Sequence, residues 1–218
     1  MARVNEKAPD LIVDQWVQGK PSNIGQERGR VLLIEVIQVN CPGCFMAGIP
    51  ETIGVYEKFR DRPLAVWILA TAFENFDKNN LANLKKLLHT GEVTGETLAA
   101  LSQANFLQNN RLQYPIPFPV AWDKLVKNEG EPSSEAVRKI IDRDMPDYGS
   151  LPPKTREMIA QQIRAYLKQK KYDALTFETY ALCGTPSSII IDKKGILRHK
   201  LFGSGQDLEK IIYPLLDE

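Results

Sequence analysis

The run from Val31 to Val39 constrains the fold more than any other segment of the chain. Apart from Glu35 and Gln38 it is apolar on both faces, as a strand covered on both sides of a sheet must be. A second buried run follows at Leu64–Ala72 and a third at Ser188–Ile191. Helical patterns lie between them. One spans Cys44 to Arg60, with Ile53, Val55, Tyr56 and Phe59 as its inner positions; the next spans Asp77 to His89, with Leu81, Leu84, Leu87 and Leu88 at helical spacing. Near the end, Asp192-Lys193-Lys194-Gly195 reads as the turn of a hairpin from Ser187–Ile191 to Ile196–Phe202. This order predicts an α/β fold: a mixed central sheet, parallel in part, with an antiparallel edge and flanking helices.

The remaining segments are read more coarsely. Ala8-Pro9-Asp10 leads an N-terminal extension into a short strand at Leu11–Val17. A helix is expected at Thr97–Asn109. Tyr114–Pro119 carries three prolines and must be extended, leading to a strand at Val120–Trp122. Residues 124–178 read as a helical insertion within one domain spanning residues 1–218. The insertion holds helices at Ser134–Asp144 and Lys154–Lys170, the latter with Met158, Ile159, Ile163, Tyr166 and Leu167 on its apolar side. A closing helix, Asp207–Leu216, is expected to be interrupted by Pro214.

Composition narrows the function classes. The net charge of the 218 residues is +1, so no bulk field recruits nucleic acid or an anionic membrane. The first residues lack the apolar core of a signal peptide and no run reaches transmembrane length, so a cytoplasmic location is expected. Three cysteines make no disulfide framework. A structural zinc needs about four ligands, and Cys183, His89 and His199 stand in no paired ligand spacing with the other two cysteines. No metal and no cofactor is expected.

The chemistry concentrates at Cys41-Pro42-Gly43-Cys44, where the central strand gives way to a helix. A helix N-terminus favours a thiolate and lowers a thiol pKa from about 8.5 toward about 7 or below. Cys41 is therefore the expected nucleophile, and Cys44, one turn on, the thiol that resolves a mixed disulfide. Glu35 interrupts the apolar strand six residues before Cys41. Burial should raise its pKa, which suits a group that takes the proton of Cys44 near neutrality; the plainer reading is a Glu held by a neighbouring Lys or by water. About 140 residues after the dithiol stands Gly184-Thr185-Pro186-Ser187. A proline opening a strand there is a candidate cis peptide, with Thr185 free to pair with an extended substrate beside Pro42 and Gly43. Cys183 falls near the same rim; its plainer reading is a small loop residue, and His89 and His199 read as surface residues.

Together these residues resemble the thioredoxin-like superfamily, and within it the redoxin group of AhpC/TSA and TlpA-like proteins. The likeness covers about residues 6–90, 114–123 and 179–217, and leaves the insertion unexplained. It implies a nucleophile at Cys41, a resolving thiol at Cys44, an assisting acid at Glu35 and a cis proline at Pro186 flanking the substrate groove. The departures are specific. Asn40 stands where thioredoxins carry Trp, Pro-Gly replaces Gly-Pro between the cysteines, and Pro50 comes six residues after the second cysteine instead of five. Peroxiredoxins carry Pro and Thr seven and three residues before the reactive cysteine. Counted from Cys41 those positions hold Ile34 and Gln38, and counted from Cys44 they hold Ile37 and Cys41.

The expected activity is thiol–disulfide exchange, reducing a protein or small-molecule disulfide at the expense of an unidentified thiol donor. One alternative is an antioxidant thiol peroxidase, in which Cys41 becomes a sulfenic acid and Cys44 condenses with it. Another is a non-catalytic redox sensor or binding module that docks partners through its insertion.

Overall fold

The computed structural model describes residues 1–128 and 131–218. They form two compact units, residues 1–125 with 174–218, and residues 126–173. In chain order the first unit contains β1 (Val13–Gln18), β2 (Val31–Ile37), α1 (Ile49–Lys58), β3 (Leu64–Ala70), α2 (Leu81–Thr90), α3 (Gly95–Gln103), the short hairpin β4 (Leu107–Gln108) and β5 (Arg111–Leu112), and β6 (Val120–Asp123). A strand β7 (Leu125–Lys127) leads into the second unit, whose helices are α4 (Ser134–Asp144) and α5 (Pro153–Gln169). Strand β8 (Tyr172–Ala174) pairs with β7 on the return. The chain then completes the first unit with α6 (Leu175–Thr179), β9 (Ser187–Ile191), β10 (Leu197–Phe202) and α7 (Leu208–Asp217).

The main sheet has the order β1-β6-β3-β2-β9-β10. β2, β3 and β6 run parallel, while β9 pairs antiparallel with β2, β10 with β9, and β1 with β6. Every residue of β2 and β3 is buried, which is why both read as continuous apolar runs. Alternation divides β2 between two cores. Leu33 and Ile37 pack with Ile49, Val55 and Phe59 of the α1 region and with Ile212 of α7. Leu32, Ile34 and Val36 pack on the other face with Trp67, Phe177 and Tyr180. Glu35 lies on the α1 side, and its antiparallel partner in β9 is Ser188.

Several expectations are corrected. The helix expected at Thr97–Asn109 stops at Gln103. Asn105 takes a left-handed φ of 56°, and Asn109 and Asn110, at 54° and 62°, form the tip of the β4–β5 hairpin. Asn tolerates that conformation better than most residues, so the asparagines end the helix where the apolar pattern alone does not. Asn80 caps α2 at its start by accepting from Asn83 N, so that helix begins after Asp77. Tyr56 is exposed, and Ile49, Thr52 and Val55 form the inner side of α1. Pro214 does not interrupt α7; Lys210, whose carbonyl loses its helical donor, is exposed to water.

The second unit is a helical pair around Val137, Ile141, Ile163 and Leu167. Ser133 caps α4 by accepting from Ala136 N at 3.0 Å. On α5, Met158 and Tyr166 are exposed at 54% and 53%, so its buried stripe is narrower than the sequence predicts. Residues 174–178, expected in the insertion, belong to the first unit. Buried Asp123 explains the shift, because it accepts from Thr176 N at 2.9 Å and Phe177 N at 3.1 Å and so fixes α6 to the end of β6. Thr71 adds a third bond at 2.8 Å, and the Phe177 ring stacks on Phe73 with centroids 4.6 Å apart.

Candidate functional site

Cys41 stands at the end of the β2 connection, half-buried, and Cys44 is wholly buried one turn later. The backbone N–H of Cys44 donates to Cys41 Sγ at 3.3 Å, and the Cys41 thiol donates to the Thr185 carbonyl at 3.4 Å. The Cys41 pKa is lowered to about 6. The hydrogen bond from the Cys44 side chain contributes most; desolvation opposes it, and the Thr185 side chain and the N–H groups of Cys44 and Gly43 assist. Cys44 moves the other way, well above its ordinary value, chiefly because burial penalises its anion and then because Cys41 is its neighbour. The two thiols thus differ in both access and acidity.

The helix after the dithiol opens with a π turn over Cys44–Gly48, in which Ile49 N donates to the Cys44 carbonyl. That turn holds one residue more than an α turn. It also orphans the Phe45 carbonyl: Ile49 N is already engaged, and Pro50 has no N–H. The Tyr114 hydroxyl supplies the missing donor at 2.6 Å.

Glu35 is 1% exposed and accepts from Ser188 Oγ at 2.7 Å. Among the described residues it forms no ion pair and no hydrogen bond to either sulfur. Its pKa is raised to about 8, first by burial, with smaller upward contributions from Glu51 and Cys41 and downward ones from the Ser188 and Thr52 hydroxyls. Gly48 brings the helix against this carboxyl. A Cβ at Gly48 would stand 2.5 Å from Glu35 Oε1 and 2.8 Å from Pro186 Cβ.

The Thr185–Pro186 peptide is cis. Pro186 is buried and Thr185 half-buried, and a Cβ on exposed Gly43 would touch Pro186 Cδ at 3.6 Å. The ring of Phe202, 58% exposed, lies directly over Gly184, and Gly203 N donates to the Pro186 carbonyl at 2.9 Å. Cys41, Gly43, Cys44, Glu35, Thr185 and Pro186 therefore converge, and Pro42 adjoins them on the chain. Cys183 is exposed and free. Among the described residues no group of three or more His, Cys, Asp and Glu side chains could hold a metal ion. A cavity of about 390 Å³, lined by Gln18, Leu87, Leu112, Tyr114 and Ile116 among others, meets the site through Tyr114 and includes neither thiol.

Sequence reasoning missed the polar frame behind Cys41. Gln38 Oε1 accepts from Phe73 N and Asn79 Nδ2, both at 3.1 Å. Asn79 Oδ1 accepts from Asn40 N at 2.8 Å, Asn40 Oδ1 from Glu96 N at 2.7 Å, and Thr97 Oγ1 donates to the Val39 carbonyl at 2.9 Å. Gly95, with φ +59°, lets α3 approach Asn40 where any Cβ would collide with its amide. The one sequence signal was the polar pair Gln38 and Asn40 closing an apolar strand.

No protein-family model and no curated protein matches this sequence. Solved structures do resemble it. A crystal structure of a thioredoxin-like superfamily protein shares 26% identity, covers 98% of this chain and 97% of its own, and superposes with a TM-score of 0.59. A thiol-disulfide isomerase from Corynebacterium glutamicum shares 23% identity over 98% and 97% of the two chains, with a TM-score of 0.58. A thioredoxin-like protein solved in its oxidized form shares 15% identity over 98% and 96%, with a TM-score of 0.54. The mixed sheet and its helices are the thioredoxin-like fold. No helix among the described residues is long and apolar enough to cross a membrane.

Proposed function

We propose that this chain, thioredoxin-like in fold, is a thiol–disulfide oxidoreductase that reduces partner disulfides through Cys41 and Cys44. The supporting observation is the contrast between the two thiols: Cys41 accessible with a pKa near 6, Cys44 buried with its pKa pushed up. At neutral pH the Cys41 thiolate attacks a partner disulfide, one partner thiolate leaves, and a Cys41 mixed disulfide forms. Cys44 then gives up its proton, taken by the fraction of Glu35 that is ionised near neutrality, and attacks Cys41 Sγ, releasing the second partner thiolate. Two electrons pass to the partner, and the Cys41–Cys44 disulfide that remains is reduced by a thiol donor.

The charge relations favour this order. The Cys41 thiolate raises the Glu35 pKa. Once Cys41 is held in a mixed disulfide that charge is gone, and Glu35 ionises more readily when Cys44 must give up its proton. Thr185, Pro186, Pro42 and Gly43 form the surface against which a disulfide-bearing segment lies. A protein or small-molecule disulfide is the substrate class, and a reducing compartment such as the cytoplasm is the setting in which this direction runs.

The test is equilibration of the Cys41/Cys44 pair against glutathione or dithiothreitol, with thiols counted by mass spectrometry. A potential near or below about −250 mV supports a reductant; one at about −120 to −180 mV reverses the proposed direction. Failure to form a Cys41–Cys44 disulfide at any poise sinks the proposal. Rapid consumption of hydrogen peroxide without a disulfide substrate would replace it with a peroxidase.

A further inference from the structure

We infer that Ser188 and Thr52 are positioning residues for Glu35, two neutral hydroxyls from different elements that govern how readily its carboxyl takes and returns a proton. The inference rests on the reading of Glu35 as the proton acceptor for Cys44. Strand register places Ser188 directly opposite Glu35, on the same face of the sheet. Its hydroxyl reaches Glu35 Oε2 at 2.7 Å, and Ser188 is 4% exposed. Thr52 comes from α1, on the helix side of the carboxyl, and is wholly buried.

The Thr52 hydroxyl is the odd group. Its oxygen is buried and has no hydrogen-bond partner among the described residues. Burying an unpaired hydroxyl is unfavourable, so a use for it is expected at the place where it is kept. It lies one helical turn after Gly48, where a Cβ would stand 2.5 Å from Glu35 Oε1, so α1 carries it on the carboxyl's side, and it bears on Glu35 in favour of the anion. Charge does not provide the alternative. The ionisable groups that act on Glu35 are Glu51 on α1 and Cys41 ahead of it, and both disfavour its anion. Among the described residues no Lys, Arg or His forms an ion pair with it.

The choice of hydroxyls has a chemical consequence. An ammonium or guanidinium beside the carboxyl would pin it as an anion and make it a poor proton acceptor. A hydroxyl donates to the carboxylate and can still accept from the carboxylic acid, so it favours the anion moderately without excluding the acid. Ser188 lies two residues after Pro186 and Thr52 eight after Cys44, so the clamp links the substrate-facing segment, the central strand and the dithiol helix.

The experiment measures the Glu35 carboxyl titration by carbon NMR in Ser188→Ala, Thr52→Val and Thr52→Ser. In parallel, the pH profile of product release is followed from a trapped Cys41 mixed disulfide. Loss of either hydroxyl should raise the Glu35 midpoint by about one pH unit, tenfold in proton affinity, and shift the release profile with it. Thr52→Ser should restore the parent midpoint. The alkylation midpoint of Cys41 should stay in place, which a general loosening of the site would not allow. A Glu35 midpoint unchanged in folded Ser188→Ala and Thr52→Val overturns the inference, and if one of these fails to fold the other decides it. A midpoint that moves while the release profile does not leaves the hydroxyl clamp standing and removes Glu35 from the proton transfer.

Discussion

The Tyr114 hydroxyl donates to the Phe45 carbonyl at 2.6 Å, and this bond closes the gap that the π turn and Pro50 open behind Cys44. Tyr114→Phe keeps the ring and removes the donor. A buried carbonyl left without its partner costs about 1–3 kcal/mol. Urea unfolding of the variant should show a loss in that range. No loss would mean that the carbonyl finds another donor.

Cys41 owes its acidity first to the Cys44 side chain. Alkylation of the reduced protein should therefore modify Cys41 first, half-maximal near pH 6, while Cys44 stays protected until the protein unfolds. Cys44→Ala removes the leading contribution, so the Cys41 midpoint should rise by about one unit or more. If the midpoint is unmoved, the N–H groups at the start of the helix suffice by themselves.

The sequence made the centre of this fold legible because the centre is where composition is most constrained. β2 and β3 are buried on both faces, so nearly every position had to be apolar, and Glu35 stood out against that background. The dithiol and the Thr185–Pro186 pair were visible as residue types at strand ends. What stayed hidden depends on conformation or on distant partners. Asn105 ends a helix through a left-handed backbone that its neighbours do not encode. The bonds among Gln38, Asn79 and Asn40 join segments about 40 residues apart, and no local pattern announces them. The Ser188–Glu35 bond needs the antiparallel register of β9 on β2, which alternation of polarity leaves open.

Gly48 is the narrowest point between the dithiol helix and the strand beneath it. Gly48→Ala would put a methyl 2.5 Å from Glu35 Oε1 and 2.8 Å from Pro186 Cβ, neither of which is the end of a freely moving side chain. The helix must lift or the carboxyl must turn away. Overpacking of this kind costs about 1–3 kcal/mol. The variant should be less stable by that order and slower in releasing product from the mixed disulfide than in forming it. Equal slowing of both steps would place the damage at Cys41 instead of at Glu35.

Glu35 should set the acid side of the stability profile. Its folded pKa is about 8 against an ordinary 4.5 in the unfolded chain. Below pH 4.5 the carboxyl is protonated in both states and contributes no difference. Between pH 4.5 and about 8 the unfolded chain is ionised while the folded chain holds its proton, so stability falls as pH rises through that window. The full loss is on the order of 5 kcal/mol. Cys41 opposes it at higher pH: its folded pKa of about 6 against 9.0 adds stability as pH rises between those values. Glu35→Gln keeps the shape, removes the titration and leaves the Cys41 contribution. Unfolding of the reduced proteins should find the variant gaining on the parent from pH 4.5 to 8, with the difference level beyond. A constant difference across that range would mean that Glu35 titrates alike in the folded and unfolded chain.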